Sequence, residues 1–207
     1  MTTLNLRQLS VELAGRPLLA PLTLTVAPGE IVTLMGPSGC GKSTLLAGIG
    51  GHLQPPLVAR GEVWLDRRSL SRVPPWRRGI GLLFQDDVLF PHLTVAQNLR
   101  FALPPGVSDE AVTRALQQAE LAGRGASYPA ALSGGQRARI SVLRTLLAAP
   151  SALLLDEPFS RLDAPLRRRF RRWVYGQIAE RAIPAILVTH DRADVPPDGR
   201  IVTLAAA

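Results

Sequence analysis

The chain has 207 residues, of which 46% are hydrophobic, and this content excludes an intrinsically disordered protein. A single cysteine excludes an internal disulfide framework, and the uncharged stretch at 145–155 is too short for a membrane span, which needs about 20 residues. The net charge of +8 comes from arginines spread along the chain, so we interpret it as compositional bias and expect no nucleic-acid partner. No signal segment opens the chain, which favours a cytoplasmic protein.

The first third of the chain has the alternating pattern of β-structure. Apolar residues recur at every second position through much of residues 4–26, which predicts antiparallel strands joined by a turn at 15–17. A short apolar run at 31–35 predicts a buried strand, and a glycine-rich loop then leads into a helix over about 42–49. Two further strands are expected, near 61–65 and near 80–84. The first part is therefore expected to contain an antiparallel β subdomain and a strand–loop–helix unit.

The region from about 87 to 149 is predicted to be an inserted helical subdomain. It contains turn residues and an amphipathic helix over about 109–122, with Ser108 as its N-cap. The later elements are a helix ending near 149, a strand at 152–155, a helix over 164–181 and strands at 185–189 and 201–204. Their alternation predicts a mainly parallel sheet with helices on both faces. Residues 2–207 are expected to form one α/β domain, without a C-terminal regulatory domain.

The strongest motif is a phosphate-binding loop between the strand at 31–35 and the helix that follows it. Its glycines let successive backbone N–H groups surround phosphate oxygens at the N-terminus of that helix. Lys42, the only lysine in the chain, would reach the β- and γ-phosphates, and the Ser43 hydroxyl would bind Mg²⁺. The predicted phosphate-binding residues are Gly36, Pro37, Ser38, Gly39, Cys40, Gly41, Lys42, Ser43 and Thr44.

Two adjacent carboxylates follow an apolar strand in the second half of the chain. Asp156 and Glu157 come directly after this strand, at the edge where parallel sheets bind ligands. Asp156 suits a water-mediated Mg²⁺ position, and Glu157 can orient or deprotonate an attacking water. Taken alone, the pair could simply begin a loop, but the phosphate-binding loop upstream favours the functional interpretation.

A pair of glycines opens the helix that ends near residue 149. Ser133 could cap this helix, yet Gly134 and Gly135 cost backbone entropy and expose N–H groups, which indicates a second anion site. In this order, the motifs resemble those of the ATPase subunit of an ABC transporter. Residues 132–136 are identical to its LSGGQ signature, and the two earlier motifs match its Walker A and Walker B segments. Gln85 matches the Q-loop glutamine, Asp163 the D-loop aspartate and His190 the switch histidine.

The resemblance covers essentially the whole chain and implies both a fold and a set of residue roles. The fold is a P-loop NTPase of the ABC ATPase type, which binds ATP and Mg²⁺. The implied catalytic residues are Glu157, His190 and Gln85; the implied Mg²⁺ residues are Ser43, Gln85 and, through water, Asp156. Ser133, Gly134, Gly135 and Gln136 would bind the ATP held by the opposite subunit. His190 alone would be interpreted as a structural histidine. Together with the other motifs, its place at the end of a strand implies that it senses the γ-phosphate.

The resemblance also implies partners and a location. A second ATPase subunit would form a head-to-tail dimer, expected to be a homodimer, and the transmembrane permease subunits would be separate chains. Residues 90–95 and 162–167 resemble the corresponding segments of importers, so an extracytoplasmic solute-binding protein is also expected. The chain would act peripherally, at the cytoplasmic face of the cell membrane.

One departure from the family pattern concerns the base of the nucleotide. Family members usually carry an aromatic residue near the position of Leu13, on which adenine stacks, but no aromatic residue precedes Trp64. Recognition of the base is therefore expected to be weak. The arginine run at 167–172 is interpreted as a solvated helix face, with contact to lipid headgroups or a partner as the alternative.

Two other functions remain open from the sequence. One is a soluble ABC ATPase that acts on nucleic acid or ribosomes, although such proteins usually join two ATPase units or carry long inserts. The other is an exporter or lipoprotein-release ATPase, which its permease would distinguish. A P-loop kinase is disfavoured, because it has no use for residues 133–136.

Overall fold

A computed structural model describes residues 2–84 and 86–205, which form two layers of β-structure and a set of helices. The strands are β1 (Leu4–Leu13), β2 (Arg16–Pro17), β3 (Leu22–Val26), β4 (Ile31–Met35), β5 (Leu57–Leu65), β6 (Arg68–Ser69), β7 (Ile80–Leu83), β8 (Ala152–Asp156), β9 (Ala185–Val188) and β10 (Ile201–Thr203). The α-helices are α1 (Lys42–Gly50), α2 (Val95–Arg100), α3 (Glu110–Gln118), α4 (Gly134–Leu147) and α5 (Ala164–Glu180). None of the described helices is long and apolar enough to cross a membrane.

The described chain divides into two units. The first contains the residues up to Leu82, Ser151–Glu157 and the residues from Tyr175 onward. The second contains Leu83–Pro150 and Pro158–Val174. The boundaries therefore fall within the strand β7, on either side of β8 and within the helix α5.

An antiparallel sheet forms one layer of the first unit. Strand β1 pairs with β2, β3 and β5, and β5 pairs with β6, all in antiparallel register. The turn between β1 and β2 lies at Ala14 and Gly15, where both residues have positive φ. The antiparallel β subdomain predicted from the alternating residues is confirmed, and β5 begins four residues before the expected strand.

The second sheet has the order β10-β4-β9-β8-β7, and its β10–β4, β4–β9 and β9–β8 pairs are parallel. All residues of β8 and β9 are buried, as expected for strands covered on both faces. The core of the first unit contains apolar residues from both sheets and from α1, including Leu6, Leu34, Leu45 and Leu154. Because neighbouring strands are parallel, the segments that follow β4, β8 and β9 emerge at one edge of the sheet.

Helices α2, α3 and α4 pack together in the second unit. Helix α2 was not predicted from the sequence, although Thr94 and Gln97 form a capping box at its start. Its buried Asn98 holds the preceding loop, because its amide bonds both the N–H and the carbonyl of Phe90.

Helix α3 ends earlier than predicted. It covers Glu110–Gln118, so it begins within one residue of the expected start and ends four residues before the expected end. The Ser108 hydroxyl accepts a hydrogen bond from the N–H of Glu110, as expected of a capping serine, although Asp109 occupies the N-cap position. At the other end, Glu120 adopts a φ of 56° and the N–H of Leu121 bonds the carbonyl of Leu116. This reversal buries Leu121 and ends the helix early.

Candidate functional site

The loop between β4 and α1 needs glycine at two points for different reasons. A Cβ on Gly36 would lie 2.7 Å from the carbonyl oxygen of Leu204, so the backbone there leaves no room for a side chain. Gly41 has a φ of 92° and occupies the N-cap position of α1. Within the described residues no side chain caps this helix, and no acidic residue lies in its first turn. The N-terminal N–H groups of α1 are therefore suited to binding an anion.

Lys42 lies inside this loop and is only 8% exposed. Its ammonium donates hydrogen bonds to the carbonyl oxygens of Gly36 (2.9 Å) and Pro37 (2.7 Å). These bonds hold the positive charge over the first residues of the loop, beside the N-terminus of α1. The charge and the helix dipole therefore act together on the same small volume.

Ser43 and Asp156 face one another from α1 and the end of β8. Asp156 is 6% exposed, and burial raises the pKa of its carboxyl group. A hydrogen bond from the Ser43 hydroxyl opposes this rise, the charge of Glu157 adds to it, and the charge of Lys42 opposes it. A buried carboxylate paired with a hydroxyl supplies the hard oxygen donors that suit Mg²⁺.

The described residues contain no group of three or more His, Cys, Asp or Glu that could hold a metal ion. The Ser43 hydroxyl and the Asp156 carboxylate are oxygen donors of the kind that fits a magnesium ion.

Glu157 and His190 meet at the same edge of the parallel sheet. The Nδ1 atom of His190 lies 3.0 Å from Oε1 of Glu157, and the two side chains are 66% and 21% exposed. Glu157 adopts a φ of 47°, and its N–H bonds the carbonyl of Val188 in the neighbouring strand. The contact with His190 therefore holds the Glu157 carboxylate next to the segment that follows β9.

The residues of the LSGGQ segment begin helix α4 in the second unit. Ser133 and Gln136 form a capping box: the Ser133 hydroxyl accepts from the N–H of Gln136, and Oε1 of Gln136 accepts from the N–H of Ser133. A Cβ on Gly135 would lie 3.1 Å from the carbonyl oxygen of Arg161. A Cβ on Gly134 would meet only the Arg137 side chain, at 3.8 Å. Packing within the chain therefore explains Gly135 but not Gly134.

Asp163 lies just before helix α5 in the second unit. Its Oδ1 atom accepts a hydrogen bond from the N–H of Leu166 at 3.1 Å, so it stabilises the first turn of the helix. The structure thus brings residues 36–44, 156, 157 and 190 together in the first unit, and places 133–136 and 163 in the second. Gln85 lies outside the described residues.

Sequence reasoning missed a charged group next to these segments. The carboxylate of Asp87 accepts hydrogen bonds from Arg137, at the start of α4, and from Arg161, two residues before Asp163. No local sequence pattern predicts these contacts, because Arg137 and Arg161 follow Asp87 by 50 and 74 positions.

The region near Leu13 has no aromatic residue, as its sequence requires. Leu13 is 42% exposed and pairs with Arg16 across the β1–β2 hairpin. Leu18 and Leu19, which follow the hairpin, pack against the backbone of Gly41.

Part of the arginine run of α5 contacts other residues of the protein. Nε of Arg169 lies 2.8 Å from Oε1 of Glu120, and Phe170, within the run, is buried.

A family model described as "ABC transporter" matches residues 19–160, which is more than half of the chain. The chain belongs to the ABC transporter family. It is an ATP-binding subunit of that family and an ATP hydrolase, which confirms the function class and fold expected from the motifs. The same finding supports ATP as its nucleotide.

Relatives and solved structures of the family match most of the chain. An uncharacterized ABC transporter ATP-binding protein of Escherichia coli, YnjD, is 48% identical over 98% of the chain and 95% of its own length. The sulfate/thiosulfate import ATP-binding protein CysA of Gloeobacter violaceus is 45% identical over 83% of the chain. The putative 2-aminoethylphosphonate import ATP-binding protein PhnT of Salmonella typhimurium is 38% identical over 91% of the chain.

The chain spans about half the length of the two import proteins, 51% and 52%. A solved ABC ATPase, the ATP-binding cassette MJ0796, superposes with a TM-score of 0.82 at 30% identity, and covers 97% of this chain and 94% of its own. That cassette was solved as a dimer in a post-hydrolysis state with ADP and Pi.

Proposed function

We propose that this subunit hydrolyses ATP in a head-to-tail dimer and thereby drives solute import through separate permease subunits. The observation that carries the proposal is the contact between Glu157 and His190 at the carboxyl edge of the parallel sheet, beside the loop that holds Lys42. A carboxylate held in this way can act on the water that attacks a γ-phosphate.

The residues of the first unit have distinct parts in this reaction. Lys42 and the N–H groups at the start of α1 bind the β- and γ-phosphates. Glu157 orients or deprotonates the attacking water, and His190 fixes the direction of the Glu157 carboxylate through Nδ1. An ionised carboxylate only accepts hydrogen bonds, so Nδ1–H is the donor in this pair.

Ser43, Asp156 and Gln85 are the residues that we assign to Mg²⁺, with Asp156 acting through water. When bound, the ion neutralises negative charge on the β- and γ-phosphate oxygens. The hydrogen bond from Ser43 to the buried Asp156 supports this assignment, because it joins two hard oxygen donors close to Lys42.

The dimer is proposed from the start of helix α4. Ser133, Gly134, Gly135 and Gln136 are not in the unit that contains the phosphate loop, and a Cβ on Gly134 would meet only the Arg137 side chain, at 3.8 Å. Backbone N–H groups at a helix start suit a phosphate. A second copy of the chain, arranged as in a head-to-tail pair, would bring its own ATP to these residues. The MJ0796 cassette was solved as a dimer, which supports a dimeric assembly.

Import is proposed from the relatives with stated transport roles. CysA and PhnT are both named as import ATP-binding proteins, and each matches most of this chain. We therefore propose permease partners, an extracytoplasmic solute-binding protein and a position at the cytoplasmic face of the membrane. We propose that residues 2–207 form one ATPase domain, with a helical part at about 87–149.

The decisive variant for the hydrolysis step is Glu157→Gln. It keeps the side-chain shape but removes the base, so ATP binding should persist while the rate of ATP hydrolysis falls by about a factor of 10² or more. The stalled enzyme should accumulate an ATP-bound dimer, which size-exclusion chromatography with light scattering would detect.

A matched control is Glu62→Gln, which changes an exposed glutamate of strand β5 outside the proposed site. It should leave both the rate and the oligomeric state unchanged. Wild-type hydrolysis by Glu157→Gln would overturn the role of Glu157. Hydrolysis that is lost without any ATP-dependent dimer would overturn the dimer.

A further inference from the structure

Asp87 lies at the centre of a charged group that joins three separate segments of the second unit. Its Oδ2 atom lies 3.2 Å from Nε of Arg137 and 2.9 Å from Nη1 of Arg161. Arg161 also reaches Oδ1 of Asp86 at 3.3 Å. We call Asp86, Asp87, Arg137 and Arg161 the Asp87 cluster.

The carboxylate of Asp87 is well shielded from water. Its side chain is 12% exposed, compared with 61% for Asp109, whose carboxylate pairs with Arg100 at 2.7 Å in the same unit. A charge-assisted bond in a shielded position is screened less by solvent than an exposed ion pair. The Asp87 contacts are therefore expected to constrain their partners more than the Asp109 contact does.

Backbone contacts fix the position of the segment that carries Asp87. The Ser141 hydroxyl donates to the carbonyl oxygen of Asp87 at 2.7 Å, and Arg144 donates to that of Val88 at 2.8 Å. Both donors lie on α4, one and two turns beyond Arg137. The segment that follows Gln85 in the sequence is thus attached along one side of the helix that begins with Gly134.

Arg137 and Arg161 lie close in the chain to the residues that we assign to the ATP of the second subunit. Arg137 follows Gln136 directly, and it also donates to the carbonyl oxygen of Leu132 at 2.6 Å. Arg161 is two residues from Asp163, and its carbonyl oxygen faces Gly135. One carboxylate therefore connects the start of α4 to the loop at 160–163.

We propose that Asp87 is a positioning residue that holds residues 133–136 and the loop at 160–163 in one fixed arrangement, ready for the ATP of the opposite subunit. This inference rests on the dimer proposed above. Without the carboxylate, the guanidinium groups of Arg137 and Arg161 lose their shared partner, and the two segments can move separately. The ATP-dependent dimer then becomes weaker and the rate of hydrolysis falls, while nucleotide binding to the phosphate loop is unchanged.

The test compares Asp87→Asn with Asp109→Asn, a matched carboxylate-to-amide change in an exposed ion pair of the same unit. Asp87→Asn should lower kcat for ATP about tenfold, and should weaken the ATP-dependent dimer about tenfold when combined with Glu157→Gln. The affinity for ADP, measured at protein concentrations where dimers do not form, should stay within about twofold. Asp109→Asn should leave all three quantities near wild type.

A double-mutant cycle supplies the readout that a general loss of structure would not give. Arg161→Ala should lower kcat to a similar extent, and the double variant with Asp87→Asn should be no worse than either single one. Asp87→Glu, which keeps the charge, should recover part of the rate.

The outcomes separate this inference from the dimer. If Glu157→Gln alone forms no ATP-dependent dimer, the proposed dimer fails, and the inference fails with it. If that dimer forms but Asp87→Asn behaves like Asp109→Asn, only the role of Asp87 is refuted. An equal loss of ADP affinity in Asp87→Asn, or additive effects of Asp87→Asn and Arg161→Ala, would also refute it.

Discussion

At the level of single residues, Asp156 combines a role in the proposed site with a cost to folding. The residue is 6% exposed at the end of β8, and burial raises the pKa of its carboxyl group. A carboxyl group whose pKa is higher in the folded state than in the unfolded state destabilises the fold when it is ionised. This cost is present above the folded-state pKa, and it disappears as the pH falls below the unfolded value of 3.8.

Asp156→Asn should therefore separate activity from stability. The amide keeps the shape and can still accept a hydrogen bond from Ser43, but it carries no charge, so the free energy of unfolding at pH 7 should rise. The gain should shrink as the pH falls towards 4, while magnesium-dependent ATP hydrolysis should fall by about a factor of 10² or more. Urea denaturation between pH 4 and pH 8, with an ATPase assay, measures both.

Asp198→Asn is the control, because Asp198 is exposed and its φ of 56° suits asparagine. This variant should change neither quantity. A fall in stability of Asp156→Asn at neutral pH would contradict the cost assigned to the buried charge.

At the level of elements, the start of helix α4 shows how two neighbouring glycines differ. Gly135 lies where a Cβ would press on the carbonyl oxygen of Arg161 at 3.1 Å, so packing against the loop at 160–163 requires glycine. Gly134 has room for a Cβ, and neither residue has a positive φ. The sequence motif contains both glycines, but the tertiary contacts explain only Gly135.

Alanine substitutions at the two positions should consequently have different effects. Gly134→Ala should keep or raise the free energy of unfolding, by up to about 1 kcal/mol, because alanine favours the helix. Gly135→Ala should lower it by about 1–3 kcal/mol, because the backbone at 160–163 must move. Both variants should lose most ATPase activity, since the proposed dimer brings ATP against these N–H groups.

Urea denaturation and an ATPase assay of both variants measure these effects. Wild-type activity of Gly134→Ala would contradict the proposed closeness of a second subunit. The control is Gly176→Ala, in the middle of α5, where a Cβ would meet nothing within 4 Å. It should raise stability and leave the activity unchanged.

Buried strands and helices with a clear start signal were the easiest to predict, and short helices the hardest. Strands β4, β8 and β9 are apolar except for Thr33 and Asp156, and helix α4 has both a capping serine and a glycine pair, so their positions follow from local pattern. Helix α2 has only six residues, too few to show a period. The end of α3 depends on the burial of Leu121, which is a tertiary contact.

At the level of the whole molecule, the proposed dimer makes each catalytic site a shared one. The phosphate loop of one copy would work with residues 133–136 of the other. A copy with a defective loop and a copy with a defective helix start should then complement each other, because their mixed dimer contains one intact site.

Lys42→Ala and Ser133→Arg are suitable variants for this test. Each should be inactive alone, because every site of its homodimer has one defective half. An equal mixture should recover up to about a quarter of wild-type ATPase activity, since about half of the dimers are mixed and each has one good site. Failure to recover any activity would argue against a composite site. The double variant Lys42→Ala/Ser133→Arg, assayed alone, provides the inactive baseline.

The sequence by itself determined the family, the α/β fold class and the motifs from which the site is proposed. These features are local: a glycine-rich loop, a capped helix start and an apolar strand that ends in two carboxylates are visible in consecutive residues. Only the tertiary structure decided which side chains meet. The His190–Glu157 contact, the Ser43–Asp156 bond and the Asp87 cluster each join residues from distant parts of the chain. Such contacts depend on strand order and helix packing, so no spacing along the chain predicts them.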